Sequence, residues 1–208
     1  MKRLTAVTIA LILVLSMSCA QAEAADASFS DLLGVVSDGT YENAVIGFGF
    51  KGEGWEFMSE YEIAANMQLT EALLGEKAKQ YLDSGSQMQV MMASAPDGIT
   101  NINTVLNYMG GNAAIISQFG LETVLQMGKS TFVSTIESTG IKIDSVDVVT
   151  YLVDGRELAA YKSQFSMFGM AMTSIGLYFI SGEYMAIITV TALNAEAAEA
   201  VMNGIYWL

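Results

Sequence analysis

The stretch Tyr41-Glu-Asn-Ala-Val-Ile-Gly-Phe-Gly-Phe-Lys-Gly-Glu-Gly-Trp-Glu-Phe57 contains the clearest strand pattern in the chain. Its apolar residues Ile46, Phe48 and Phe50 share one parity, and the alternation resumes at Trp55 after a Gly-Glu-Gly turn. A period of two places such side chains on one face of a strand. We therefore predict a buried hairpin onto which the rest of the chain packs, with Trp55 largely buried on the face of its phenylalanine neighbours.

Three helices are predicted around this hairpin. Ser59 and Glu62 have the Ser-x-x-Glu spacing of a capping box, and a helical apolar period follows, so the first helix is expected over residues 59–82, with a break near residues 68–70 as the alternative. Apolar residues recur at spacings of three and four over residues 113–138, which predicts one continuous helix there. A last helix is expected to begin at the Asn194 cap and to run to the end of the chain.

A second hairpin is predicted from two segments joined by the turn Pro96-Asp97-Gly98. The apolar residues of segment 88–92 alternate with glutamines, and segment 101–108 alternates between apolar residues and asparagines. This pattern predicts a sheet face exposed to water, and its asparagines are candidates for contacting a polar ligand. They are Asn101, Asn103 and Asn107.

Four further strands are predicted over residues 142–153, 157–167, 170–181 and 184–192, separated by tight turns that make neighbours antiparallel. Segments 148–153, 175–180 and 185–190 are apolar on both parities, which is typical of strands covered on both faces. The predicted fold class is therefore α+β: a mainly antiparallel sheet of about six to eight strands with helices on both faces.

The N-terminus has the basic, apolar and small-residue sections of a secretory signal peptide. We expect residues 1–24 to be cleaved, residues 25–40 to form a tether and a short amphipathic lead-in, and residues 41–208 to form one domain. In a second interpretation, Cys19 becomes the acylated first residue of a lipoprotein. Both interpretations predict a secreted or cell-envelope location, with membrane contact only through an N-terminal lipid.

The charge of the chain excludes one class of partner. The sequence has 22 acidic and nine basic residues, and loss of Lys2 and Arg3 leaves a net charge of −15 if Glu23 is retained. Such a surface repels nucleic-acid phosphates, so we expect no nucleic-acid binding. Because Cys19 is the single cysteine, the domain has no internal disulfide and depends on burial for its stability.

No catalytic, cofactor or metal site is predicted. The chain has no histidine, and Gly47-x-Gly49-x-x-Gly52 lacks the following helix that a dinucleotide fingerprint requires. Asp144 and Asp147 do not have the spacing of a calcium loop. Acid/base chemistry by carboxylates stays open at the densest acidic stretch, which surrounds Trp55 and consists of Glu53, Glu56, Glu60 and Glu62.

The string Tyr41-Glu-Asn43, the glycine-flanked Trp55, the Ile99-Thr-Asn-Ile-Asn103 strand and the closing strand and helix resemble exported bacterial relatives of the PsbP-like fold. That group includes the PsbP subunit of photosystem II, a Ran-binding nuclear import factor and envelope proteins similar to DcrB. The resemblance spans nearly the whole mature chain, although Gly52 stands where those relatives usually have proline. It implies an antiparallel sheet between helices and does not imply an activity.

Three functions are compatible with these features. The first is a non-catalytic secreted or envelope binding domain, or accessory domain, with an unknown protein partner. The second is a carboxylate-dependent hydrolase of a wall or glycan polymer. The third is a module that binds a small apolar ligand. Export and the missing histidine favour the first, and no cofactor is expected for it.

Overall fold

A computed structural model of the chain describes residues 32–67, 87–167 and 169–208. Within these residues the helices are α1 (Glu60–Asn66), α2 (Asn112–Phe119), α3 (Leu121–Ser138) and α4 (Ala195–Met202). The strands are β1 (Val35–Ser37), β2 (Thr40–Asn43), β3 (Phe48–Lys51), β4 (Glu56–Phe57), β5 (Met88–Ser94), β6 (Asn101–Tyr108), β7 (Lys142–Val153), β8 (Arg156–Met167), β9 (Met170–Ser181), β10 (Tyr184–Ala192) and β11 (Ile205–Trp207). Over the described ranges, no helix is both long and apolar enough to cross a membrane.

The strands form two antiparallel sheets. The small sheet has the order β1-β2-β3-β11, and the large sheet has the order β4-β5-β6-β10-β9-β8-β7. Helices lie against both faces of the seven-stranded sheet, so the predicted α+β class and strand number are confirmed. The sequence did not indicate that the first strands belong to a separate sheet.

Two hydrophobic cores lie on the two faces of the large sheet. In one core, α2 and α3 pack against one face of the large sheet, at residues such as Tyr161 and Tyr178. In the other core, the small sheet, α1 and α4 pack against the opposite face, at residues such as Ala160 and Leu177. Because side chains of successive strand residues point to opposite faces, β8 and β9 contribute to both cores. The large sheet is therefore the middle layer of the fold.

The predicted opening hairpin is wrong in its pairing. Phe48 and Phe50 are buried on β3, but β3 pairs with β2 and β11, whereas β4 pairs with β5 of the other sheet. Trp55 lies on the connection and is half-buried instead of largely buried, with its ring 5.2 Å from that of Phe50. The alternating pattern correctly predicted that Phe48 and Phe50 share one buried face. It did not show which strands β3 and β4 pair with.

The C-terminal helix is shorter than predicted. Asn194 caps α4 as expected, accepting a hydrogen bond from the Ala197 N–H at 2.9 Å. The helix ends at Met202, and residues Ile205–Trp207 form β11 on the edge of the small sheet. An Asn-Gly pair followed by Ile-Tyr-Trp explains the change, because glycine ends helices and large β-branched or aromatic residues favour strands.

Three other predictions are corrected in detail. The predicted helix over residues 113–138 is divided into α2 and α3 at Gly120, whose φ of 78° is incompatible with a helix. Segment 148–153 is not covered on both faces, because β7 is an edge strand with Leu152 72% exposed. The asparagine face of β6 is more covered than predicted, since Asn103 is 3% exposed and Asn101 and Asn107 are half-buried. The predicted water-exposed face is therefore wrong at Asn103.

Other local predictions are confirmed. Ser59 and Glu62 form the capping box at the start of α1, although residues 68–82 of the predicted helix lie outside the described residues. The four long strands match their predicted ranges, except that β8 begins at Arg156 instead of 157. In the lead-in, Leu32 and Leu33 are buried in the core shared with the small sheet.

Candidate functional site

A cleft of about 390 Å³ opens between the two sheets at the side where their edge strands β1 and β4 lie. We call it the inter-sheet cleft. One wall comes from the lead-in, β1 and β2, and the other comes from β4, the start of α1 and the middle of β5. Its lining residues are Leu33, Gly34, Val35, Val36, Tyr41, Phe57, Met58, Ser59, Glu60, Ile63, Val90, Met91 and Met92.

Asn43 positions the small-sheet wall. Its side chain is fully buried, and its amide nitrogen donates to the Leu32 carbonyl at 2.7 Å and to the Tyr41 hydroxyl at 2.9 Å. Its amide oxygen accepts the backbone N–H groups of Val45 and Ile46. One side chain therefore joins the lead-in, β2 and the turn before β3, since buried amides are stable only with their hydrogen bonds satisfied.

The opposite wall is held by the large sheet. The Met58 N–H donates to the Met92 carbonyl at 2.9 Å, which extends the β4–β5 pairing to the start of α1. β5 has an irregularity between Gln89 and Met91, at Val90, whose carbonyl is 3.5 Å from the Tyr41 hydroxyl. A bulge of this kind bends a strand and re-aims its side chains. Here it lies where β5 contributes to the cleft.

The lining of the cleft is mainly apolar, and Glu60 is its one charged residue. Burial raises the pKa of the Tyr41 hydroxyl well above its ordinary value, although the hydrogen bond from Asn43 opposes that shift. The phenol is therefore protonated at any physiological pH. Ser59 uses its side chain in the capping box, and Glu60 is exposed at the mouth. Apart from Glu60, the lining residues carry no ionised group.

The four predicted acidic residues are not gathered into one site. Glu53 and Glu56 are exposed on the segment around Trp55, and Glu60 reaches the cleft. The Glu62 carboxylate accepts the Ser59 N–H at 2.8 Å and the Ser59 hydroxyl at 2.7 Å, and these bonds lower its pKa. A lowered pKa is opposite to what a general acid needs at neutral pH. Carboxylate catalysis stays a prediction, because these four carboxylates do not converge on one site.

Two of the three glycines in the apparent dinucleotide fingerprint, Gly49 and Gly52, have packing roles. A Cβ on Gly49 would lie 2.3 Å from Cζ of Tyr206, whose ring covers this glycine from β11. A Cβ on Gly52 would lie 2.8 Å from the Trp55 ring. β3 continues through Gly49 and no helix begins at Gly52, so the motif lacks the helix that binds a phosphate group.

The remaining candidates do not converge on a site. Asn101 donates to the Ile99 carbonyl at 3.1 Å, and Asp144 and Asp147 lie on β7 near lysine side chains. Over residues 32–67, 87–167 and 169–208, no group of three or more histidine, cysteine, aspartate or glutamate residues could hold a metal ion. Cys19 lies outside the described residues.

Sequence reasoning missed the cleft because its residues come from three separate segments and form no motif. The available signals were weak: two adjacent valines before a turn, and a methionine pair in β5. Adaptable methionines are common at binding surfaces, but they are also common in cores. Nothing in the pattern indicated that Met91 of β5 would lie opposite Val36 of β1 across a cleft.

Comparisons with known proteins give no family. No protein-family model matches the chain, and no curated protein matches it. Among solved structures, a protein from Bacteroides thetaiotaomicron is similar over 83% of this chain, with 14% identity and a TM-score of 0.40. The chain spans 49% of that protein's length.

LpqN of Mycobacterium tuberculosis, described as involved in cell envelope biogenesis, is similar over 75% of this chain and 79% of its own length. Its identity to this chain is 12% and the TM-score is 0.35. Neither solved structure is described as a PsbP or DcrB protein, so the PsbP-like resemblance stays a prediction.

Proposed function

We propose that this chain is an exported, non-catalytic binding domain and that the inter-sheet cleft is where its ligand binds. The observation that carries the proposal is the cleft itself, with a volume of 390 Å³ and two apolar walls. Ligand pockets of proteins are typically clefts of about 300–1,000 Å³, lined mainly by hydrophobic residues with a few polar groups that fix orientation.

The lining determines the chemical class of the ligand. Its walls offer aliphatic, thioether and aromatic surface, for which transfer from water is favourable by about 25 cal/mol per Å² of apolar area. Glu60 at the mouth and the negative net charge disfavour an anionic ligand. The ligand we expect is therefore apolar, and neutral or cationic.

The described carboxylates support a non-catalytic role over the hydrolase alternative. Glycoside hydrolysis ordinarily requires two carboxylates facing one substrate, and Glu60 is the one carboxylate in the lining of the cleft. Glu62 is engaged with Ser59 at the start of α1. No observation on the described residues favours the hydrolase over binding.

A neutral, environment-sensitive dye such as N-phenylnaphthylamine tests the proposal on the purified exported protein. Met58→Trp places a large ring in the cleft lining, and Met127→Trp makes the same substitution at an exposed position of α3. We expect saturable dye binding to the wild type and to Met127→Trp. In Met58→Trp the affinity should fall by about fivefold or more, because the volume that the dye needs is filled.

Equal dye affinity in the two tryptophan variants would refute the assignment of the cleft. Both variants are first compared with the wild type by thermal unfolding, so that a loss of binding is not a loss of fold. Native mass spectrometry of the wild type adds an independent readout, since an apolar ligand that co-purifies should be absent from Met58→Trp and retained in Met127→Trp.

A further inference from the structure

Among the described residues, the inter-sheet cleft is bordered by a strand edge that has no backbone partner. β1 is the terminal strand of the small sheet, and within the described residues it pairs only with β2. Its valines are exposed, Val35 by 67% and Val36 by 48%, although both line the cleft. An edge strand presents unpaired backbone N–H and C=O groups, which are a template for pairing with another chain.

The hairpin geometry identifies which backbone groups face outward. β1 and β2 are joined by Asp38 and Gly39, with φ values of 49° and 73°, as in a two-residue type I′ turn. The residues that flank such a turn, Ser37 and Thr40, form a hydrogen-bonded pair, and bonded and non-bonded pairs then alternate. The N–H and C=O of Val36 therefore point away from β2, toward the free edge.

The side chain of Val36 belongs to the inner face of the small sheet. Val36 is opposite Tyr41, and Tyr41 is opposite Phe50, and both of these aromatic residues are buried between the sheets. A strand added beside Val36 would continue this face, so alternate side chains of the added strand would enter the cleft. Backbone pairing and side-chain burial are thus available to the same ligand.

The charged residues near the β1 edge indicate the charge that a partner should carry. From residue 32 to 67 the chain carries six acidic side chains and one basic one. The basic residue, Lys51, lies 5.1 Å from the centre of the Tyr206 ring, on the β3–β11 side of the small sheet and away from β1. Of the acidic residues, Glu42 accepts a hydrogen bond of 2.7 Å from the same Tyr206, and the other five are Asp38, Glu53, Glu56, Glu60 and Glu62. Complementary charge on a partner would steer it to this surface.

We propose that the ligand of the cleft is an extended segment of another protein that pairs with β1 as an added strand, with alternating apolar residues and flanking lysines or arginines. The proposal rests on the proposed function and names its partner class. Strand addition derives affinity from main-chain hydrogen bonds and specificity from pockets for alternate side chains, and the cleft supplies such a pocket. The alternative occupants of the cleft are a small apolar ligand and a segment of this same chain, and the test distinguishes them from a partner protein.

The test uses the synthetic peptide acetyl-Lys-Arg-Val-Thr-Leu-Thr-Val-Arg-Lys-amide and measures its affinity for three proteins. Val36→Pro removes the outward N–H without removing a bond to β2, and proline is tolerated on edge strands. Val36→Ala keeps the N–H and is the matched control for the lost side chain. We expect Val36→Pro to bind at least about tenfold more weakly than Val36→Ala, and the same peptide with glutamates at its ends to lose most of its affinity.

A second arm keeps the protein unchanged, in case Val36→Pro does not fold. Two versions of the peptide are N-methylated at alternate backbone positions. One version blocks the N–H groups of one peptide edge, and the other version blocks those of the opposite edge. Because only one peptide edge can pair with β1, one version should lose binding and the other should retain it. Equal binding of both versions, or equal peptide affinity of the two Val36 variants, would overturn strand addition.

The dye experiment separates this inference from the proposed function. Dye binding and peptide binding are both measured on the wild type, so that the comparison needs no variant of a cleft residue. Saturable dye binding without peptide binding would overturn strand addition and leave a small apolar ligand as the occupant. Absence of both would refute the cleft itself. Crosslinking of the wild type would also overturn the inference if it joined β1 to another segment of the same chain and if that protein did not bind the peptide.

Discussion

The indole N–H of Trp207 donates a hydrogen bond of 2.9 Å to the carbonyl of Val153. This contact joins the end of the chain to the turn between β7 and β8. The same ring packs between the sheets, 5.1 Å from Phe179 of the large sheet and 6.4 Å from Phe48 of the small sheet. The guanidinium carbon of Arg156 lies 4.4 Å from its centre. Trp207 therefore makes stabilising contacts with both the small sheet and the large sheet.

The two tryptophans should contribute unequally to stability. Trp207→Ala removes a hydrogen bond, two ring contacts and a cation–π contact, so we expect a loss of about 3 kcal/mol or more in the free energy of unfolding. Trp55→Ala removes a half-buried ring that packs mainly on Phe50, and should cost about half as much. Urea unfolding of both variants measures the difference. A larger loss for Trp55→Ala would contradict the described packing.

Two buried tyrosines should respond in opposite ways to loss of their hydroxyl groups. Tyr161 donates to the Leu125 carbonyl at 2.5 Å and ties β8 to α3, so Tyr161→Phe should lower the free energy of unfolding by about 1 kcal/mol. The fully buried Tyr178 hydroxyl has no hydrogen-bond partner among the described residues. Tyr178→Phe removes an unsatisfied polar group and should be neutral or stabilising. Thermal unfolding distinguishes the pair, and a clear destabilisation by Tyr178→Phe would mean that its hydroxyl is bonded.

The Glu199 carboxylate should make part of the stability dependent on acid pH. It accepts hydrogen bonds from Lys162 at 2.9 Å and Tyr151 at 3.0 Å, and these lower its pKa below the ordinary 4.5. Because the folded pKa is depressed, the stabilisation is present above pH 4.5 and is lost as the pH falls through the lowered value. Since both charged groups are partly solvated, it should not exceed about 1 kcal/mol.

Glu199→Gln measures that contribution. At neutral pH the variant should be less stable than the wild type, and the difference should close as the pH falls below 4.5. In a Lys162→Gln background, the effect of Glu199→Gln should shrink, because the charged partner is already missing. A difference that is independent of pH, or of Lys162, would show that the ion pair contributes nothing.

Local features of the fold were readable from the sequence. The ranges of the four strands from residue 142 to 192 follow from the tight turns that separate them, such as Asp154-Gly155, and from the apolar segments between those turns. The capping box of α1 and the Asn194 cap of α4 were also recognisable, because each depends on residues three positions apart. Signals of this kind need no knowledge of the rest of the fold.

Pairing between distant segments was not readable. Phe50 and Phe57 were predicted to lie on one hairpin, yet they lie on strands of different sheets, and β3 pairs with residues Ile205–Trp207. Alternation records which face of a strand is buried and does not record its neighbour. The burial of Asn103 in β6 was misjudged because alternation does not show what packs on the polar face of a strand. The cleft is built from three separate segments and left no motif.

Methionine-methyl NMR tests the central claim most directly. Met58 and Met91 line the inter-sheet cleft, whereas Met109, Met172 and Met185 belong to the core on the other face of the large sheet. Titration of the labelled wild-type protein with the neutral dye should shift the methyl signals of Met58 and Met91 and leave the other three unchanged. If the signals of Met109, Met172 or Met185 shift while those of Met58 and Met91 stay in place, the ligand binds elsewhere and the inter-sheet cleft is not the binding site.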